Sequence, residues 1–323
     1  MDLGTVTYYS IDPRMLNLVA TIHHRLGEVH ARHLQHSPTE LAPAYRVSAV
    51  HANMAIEGGM LDHLPVARLI DRPGSATGPA DQEVVNTHRT LDHLPELDPF
   101  TAHDLRQAHG MLMHGLALDA GHFRTGPMDV LYGDPEPLRV ASAHDLPAVV
   151  QDLLRYAGED DFPPLITSCV LHFGLIYLRP FTAGNGRLAR LWQRGMLMRL
   201  WPVFAYLPFE AFIHRAEPAY HAALEYADRR GDCGGFINYL LERIDEALAE
   251  VLDKPDPVRG PGERVQLFLQ RWGGRAFRRK DYLSFFPELS TATATRDLME
   301  ATGGGHLEKS GEVRTAVYRA RPA

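Results

Sequence analysis

A mainly α-helical fold is predicted by this sequence, and three observations carry the prediction. Apolar residues recur at helical spacing along most of the 323 residues. Runs with β-like composition are short and gather in two places, 128–140 and 306–320. Prolines and glycines cluster between the periodic stretches, where they act as breakers. The length exceeds what one core usually takes, so two domains are expected.

Residues 13–36 read as a long amphipathic helix, with Leu16, Val19, Ile22, Leu26, Val29 and His33 near one face. Helical patterns follow at 44–55, 62–71, 80–95 and 101–117, with a breaker-rich loop at 72–79. Residues 121–143 are rich in Gly and Pro, and the runs 128–132 and 138–140 suggest a small hairpin. Further helices are expected at 144–158, 163–178, 187–200, 216–230 and 233–252. Three prolines and two glycines make 253–262 the clearest linker. Beyond it, helical patterns at 263–272, 278–286 and 290–301 precede β-like runs at 306–309 and 315–320. Three helices and a terminal hairpin are the outline of a winged helix-turn-helix. The expected organisation is therefore an N-terminal helical segment (1–100), a helical core (101–252), a linker (253–262) and a winged helix-turn-helix (263–323).

Composition narrows the class. Hydrophobic residues make up 45% and charged residues 23%, as in an ordinary globular protein. No run approaches 18 uncharged apolar residues and the N-terminal stretch has no signal-peptide pattern, so no membrane association is expected. Cys169 and Cys233 form neither a disulfide framework nor a metal spacing, and a reducing cytoplasm is the expected location. The net charge is −7, but from Arg259 onward 12 Lys/Arg face 7 Asp/Glu. That asymmetry suggests a separate partner for the tail, with nucleic acid the first candidate.

The most informative run is 179–190, RPFTAGNGRLAR. Gly184, Asn185 and Gly186 stand before a helical pattern, where successive N–H groups converge on an anion. Arg187 and Arg190 share a face at i,i+3 in what reads as the first helical turn. Cations there oppose the helix dipole by roughly 0.3–1 kcal/mol each, and a bound phosphate offsets that cost. Arginines matched by nearby carboxylates are the structural alternative. His30, His33 and His36 are spaced by three but lack a carboxylate partner. They read as a solvated helix end, and no metal site is expected.

The run 172–190 resembles the signature of the Fic family, HPF-x-[D/E]-GNGR-x-x-R, in which a loop joins two helices. Pro180, Phe181, Gly184, Asn185, Gly186, Arg187 and Arg190 match in order and spacing. Gly121-His122-Phe123-Arg124 resembles the family's GxFR element, which precedes a β-hairpin flap. Asn53-Met54-Ala55-Ile56-Glu57-Gly58 resembles its inhibitory helix motif, with Asn where Ser or Thr is usual. Residues 216–246, 83–86 and the C-terminal winged helix extend the similarity over nearly the whole chain. The fold implied is a Fic-type helical core with a small β-hairpin flap, an N-terminal helical segment and a C-terminal winged helix.

The resemblance implies AMP transfer from ATP to a Ser, Thr or Tyr hydroxyl of a protein target. It gives phosphate contacts to Gly184, Asn185, Gly186, Arg187 and Arg190, and it pairs an inhibitory Glu57 with Arg190. Two departures bear on that activity. Arg179 holds the position of the catalytic His, and a guanidinium with pKa above ~12 accepts no proton at neutral pH. Ala183 holds the acidic position and offers Mg²⁺ no oxygen. Loss of general-base assistance alone lowers rates ~10²–10⁴-fold. His172 is about 10 Å along a helix from Arg179, too far to replace it.

Three readings stay open: a transferase with lost or altered activity, a non-catalytic nucleotide-responsive or DNA-binding regulator, and another phosphoryl or nucleotidyl chemistry in which Arg179 acts electrostatically. The expected ligand is ATP or another nucleotide, with Mg²⁺ in question. In the tail, Ser290 reads as the N-cap of the third helix, Thr291, Thr293, Thr295 and Arg296 suit a groove-entering helix, and Lys309, Arg314 and Arg319 suit a phosphate-facing wing. Asp297, Glu300, Glu308 and Glu312 dilute that charge. The alternative use of the winged helix is protein contact, including a homodimer.

Overall fold

The computed structural model describes residues 9–35, 42–126, 142–159, 162–253, 260–273, 275–286, 289–311 and 316–321. The chain divides into two compact units, Met1–Lys254 and Pro255–Ala323.

The first unit is helical. Its elements are α1 (Pro13–Gln35), α2 (Ala42–Ala55), α3 (His63–Asp71), α4 (Pro79–His93), α5 (Ala102–Leu112), α6 (Leu146–Gly158), α7 (Pro164–Leu178), α8 (Asn185–Leu200), α9 (Phe209–Arg215), α10 (Glu217–Arg230) and α11 (Gly234–Asp253). Local chemistry sets several starts. Pro79 and Pro164 each open a helix, where the missing N–H is not needed. The Asp12 carboxylate accepts from the Met15 N–H at 2.7 Å, and Thr101 Oγ1 accepts from the Asp104 N–H at 3.2 Å.

Helix α7 is the centre. Twelve of its fifteen residues are buried, as expected of a helix apolar on every side. It packs on α6, α8 and α11, and α11 in turn packs along α1. Helix α8 is buried from Arg187 to Leu197 although that stretch holds three arginines. Arg194 is satisfied inside: it pairs with Glu210 of α9 and donates to the Leu207 carbonyl at 2.6 Å. Helix α9 and the 3-10 turn before it, Pro202–Ala205, were not expected from periodicity, since each is too short to show a helical stripe.

The second unit has α12 (Pro261–Trp272), β1 (Phe277–Arg278), α13 (Arg279–Phe285), α14 (Thr291–Gly303), β2 (Leu307–Ser310) and β3 (Val317–Ala320). The strands form an antiparallel sheet in the order β1-β3-β2, with Phe277 opposite Tyr318 and Leu307 opposite Ala320. The two-residue β1 has no sequence signature of its own. Phe268, Phe277, Tyr282, Leu298 and Leu307 form the core. Inside it, Arg264 makes two 2.6 Å bonds to the Asp297 carboxylate, which also accepts from the Tyr282 hydroxyl at 3.0 Å. Asp297 is therefore buried and neutralised, and the expectation that it dilutes a positive surface is corrected. Ser290 caps α14, accepting from the Thr293 N–H at 3.1 Å.

The runs 128–132 and 138–140, His36, the His33 side chain, Glu312 and Arg314 lie outside the described residues. Among the described residues, no helix is long and apolar enough to cross a membrane.

Candidate anion-binding site

The loop between α7 and α8 is built by side chains that hold its main chain. Arg179 ends α7 in the left-handed region, φ 45° and ψ 63°, where a side chain is uncommon. Arg124 braces that turn. Its Nε donates to the Arg179 carbonyl at 2.8 Å and its Nη2 to the Leu178 carbonyl at 3.4 Å, while its own N–H donates to the Pro180 carbonyl at 2.9 Å. The last carbonyls of α7 thus gain a guanidinium cap.

Phe181 anchors the middle of the loop, fully buried and stacked on His109 with ring centroids 3.7 Å apart. The Gly121 N–H donates to His109 Nδ1 at 2.9 Å, so the ring proton sits on Nε2 and is donated to the Ala183 carbonyl at 3.0 Å. Burial pushes the His109 pKa down to about 4, against the Ala183 carbonyl and Asp119, so this tautomer is neutral. Asn185 closes the loop on itself: its Oδ1 accepts from the Phe181 N–H at 3.0 Å and its Nδ2 donates to the Phe181 carbonyl at 2.8 Å. The Thr182 hydroxyl donates to Asp119.

Gly184 has φ +75°, and a Cβ there would lie 2.6 Å from Met113 Sδ. Space and backbone both demand glycine. Helix α8 begins at Asn185, two residues before the predicted start, so Arg187 lies in its first turn and Arg190 in its second. That corrects the expectation of both arginines in one first turn, though they still share a face.

Arg190 is fully buried. Its Nη2 donates to Glu57 Oε1 at 2.8 Å and to the Asn53 carbonyl at 3.1 Å, and its Nε donates to Asn53 Oδ1 at 2.7 Å. Asn53 stands where a hydroxyl residue is usual in the motif, and it is a working partner of Arg190. Burial disfavours the Glu57 carboxylate, but Arg190, Arg187 and His221 outweigh it, so its pKa is below the usual carboxylate value. A Cβ on Gly186 would lie 2.2 Å from Glu57 Oε1. The carboxylate therefore rests on the glycine step of the cradle, where an incoming anion would have to sit. Arg187 is buried, 3.5 Å from Glu83 Oε1. Among the described residues, Arg187 Nε and Nη1, Arg190 Nη1 and Asn53 Nδ2 are buried donors without hydrogen-bond acceptors.

Beneath Arg190, His172 is fully buried between the Gln193 amide at 2.7 Å and the Tyr220 hydroxyl at 2.9 Å. Burial pushes its pKa down to about 3. It supports the core below the loop. His214 lies 3.4 Å from Glu217, and His122 is exposed. Sequence reasoning missed His109, Asn53 and Glu83 as parts of the site. Asn53 and Glu83 stood inside quoted motifs, but His109 had no local signal, since its partners are 12 and 74 residues away.

The site is a glycine-lined loop at a helix start in a helical protein, with buried arginines holding an internal carboxylate. Residues 99–197 match the Fic/DOC family model, so the chain carries a Fic/DOC domain over that stretch. It is related to protein adenylyltransferases. Identity is 27% over 253 residues with protein adenylyltransferase fic-1 of Caenorhabditis elegans, covering 74% of this chain and 47% of that protein. Identity is 24% over 231 residues with protein adenylyltransferase Fic of Nematostella vectensis, covering 69% and 49%. The chain spans about half the length of the curated relatives it matches. A crystal structure of a Fic family protein from Desulfovibrio desulfuricans superposes with a TM-score of 0.73 at 26% identity, over 98% of each chain. Fic-1 from Caenorhabditis elegans superposes at 0.60 with 21% identity, over 74% and 72%, and shares the fold.

Proposed function

We propose that this chain is a nucleotide-binding Fic-family protein whose usual AMP transfer is lost or strongly reduced. The phosphates of ATP or a related nucleotide are held by Arg187, Arg190 and the main chain at Gly184–Gly186. One observation carries this reading: the Glu57 carboxylate lies over Gly186 and on Arg190, as an internal anion seated in the cradle. The buried donors left over on Arg187, Arg190 and Asn53 support it, because such groups are satisfied by a ligand or by water. Arg179 argues against the usual transfer, since a guanidinium does not take a hydroxyl proton at neutral pH.

Transfer of labelled AMP from ATP tests the reading. The natural protein and Glu57→Gly are expected to be inactive while binding nucleotide in calorimetry, and Arg179→His with Ala183→Asp is expected to gain transfer. Transfer by the natural protein or by Glu57→Gly alone overturns the inactive reading. Absence of nucleotide binding overturns the phosphate reading.

A second reading concerns the second unit, taken as a winged helix that binds duplex DNA. The burial of Asp297 against Arg264 favours it, because it leaves Arg296 and the Arg278-Arg279-Lys280 run less opposed. Arg279 also donates to Thr295 Oγ1 at 3.0 Å, tying that run to α14. Duplex affinity that falls steeply with salt supports it, and absence of binding at low salt sends the unit to a protein-contact role.

A further inference from the structure

Mg²⁺ at a phosphate site takes one or two protein carboxylates together with phosphate oxygens. The oxygens around this cradle do not fit that need. Ala183 has no side-chain oxygen, and its carbonyl already accepts from His109. Asn185 Oδ1 accepts from the Phe181 N–H. Asp119 accepts the Thr182 hydroxyl through both carboxylate oxygens. Glu57 lies on Arg190, and Glu83 lies near Arg187. Most of the unmet buried groups here are donors: Arg187 Nε and Nη1, Arg190 Nη1 and Asn53 Nδ2, against one acceptor, Oδ1 of Asp228, whose carboxyl interacts with Arg179. Among the described residues, no three His, Cys, Asp or Glu side chains converge as a metal site.

The phosphate-facing step of the cradle, Ala183–Gly186, thus offers a cation no carboxylate, while spare donors on Arg187, Arg190 and Asn53 suit an anion. We infer that it binds a nucleoside di- or triphosphate in its metal-free form, and that Mg²⁺ weakens the binding. This rests on the reading that the cradle takes nucleotide phosphates. Mg²⁺ on the phosphates removes oxygens that the arginines and Asn53 would bond. It also places two positive charges beside Arg187 and Arg190 without a carboxylate at position 183 to offset them.

The test is calorimetric titration of the full chain with ADP, once with a chelator and once with Mg²⁺ in excess. The expected result is a dissociation constant roughly fivefold higher with Mg²⁺, the size of one like-charge contact of about 1 kcal/mol in water. Ala183→Asp is the companion variant. The position is exposed, so the variant should melt as the natural protein does, and Mg²⁺ should tighten its ADP binding. Tighter binding by the natural protein in Mg²⁺ overturns the inference; loss of that gain in Asp119→Asn would then name Asp119 as the metal ligand. Equal binding in both buffers also overturns it. Absence of ADP binding in either buffer, for both the natural protein and Glu57→Gly, removes the nucleotide reading itself.

Discussion

Glu57→Gln separates two consequences of one carboxylate. In the resting protein its Oε1 stands 2.8 Å from Arg190 Nη2, with Arg190 fully buried and the Glu57 side chain 41% exposed. A unit-charge pair at that distance, with an effective dielectric near 20, has a Coulomb energy of at most about 6 kcal/mol. The exposed carboxylate keeps water and the amide keeps an acceptor, so the expected loss is about 1–2 kcal/mol. For a chain of this size that lowers Tm by roughly 2–5 °C. The same change weakens the hold on Arg190, because a neutral amide accepts a hydrogen bond less strongly than a carboxylate and a phosphate displaces it more readily. A charge-assisted hydrogen bond is worth about 1.5–3 kcal/mol, so ADP should bind roughly 10–100-fold more tightly. Thermal melting with and without ADP, joined to calorimetry, reads both effects. The variant should melt lower alone and gain more from ADP than the natural protein. If Glu57→Gln binds ADP no more tightly, Glu57 does not occupy the ligand's place.

His109→Ala removes the ring under Phe181 and the donor to Ala183. A loss of about 2–4 kcal/mol in chemical denaturation is expected, together with weaker ADP binding, while unchanged stability would mean the loop is held elsewhere. Acid should destabilise the first unit through its buried histidines. His109 and His172 have pKa values pushed down to about 4 and about 3, so the unfolded state takes their protons first. Their contribution is present above about pH 6.5 and is lost as pH falls toward the folded values, at about 1.4 kcal/mol per unit per group. His51, stacked on His63 at 3.8 Å, shifts in the same direction through burial and its histidine neighbours. A denaturation midpoint unchanged from pH 7 to pH 5 contradicts this. In the second unit, Arg264→Ala strands the buried Asp297 carboxylate, and a loss of about 3–5 kcal/mol should unfold that unit first in limited proteolysis.

Much of the helical frame was legible because periodicity and proline placement act locally. The helices expected at 80–95 and 163–178 lie within two residues, at each end, of α4 and α7. The loop was legible for a related reason: Gly184 meets both a backbone and a steric demand at one position. What escaped depends on distant partners. Helix α9 is held by Glu210 reaching Arg194, and Asp297 reads as surface charge until Arg264, 33 residues earlier, is seen beside it. Asn53 departs from the motif in type but keeps a role, because its oxygen and carbonyl both face Arg190. The early start of α8 follows from Asn185, whose side chain bonds back to Phe181 and so stands at the head of the helix.

A crystal structure with ADP and no divalent cation is the most direct measurement. Phosphate density is expected over Gly184–Gly186, within hydrogen-bond distance of Arg187 and Arg190, with Glu57 moved off Gly186. Density for ADP elsewhere, or Glu57 still bonded to Arg190 at saturating ADP, would contradict that placement.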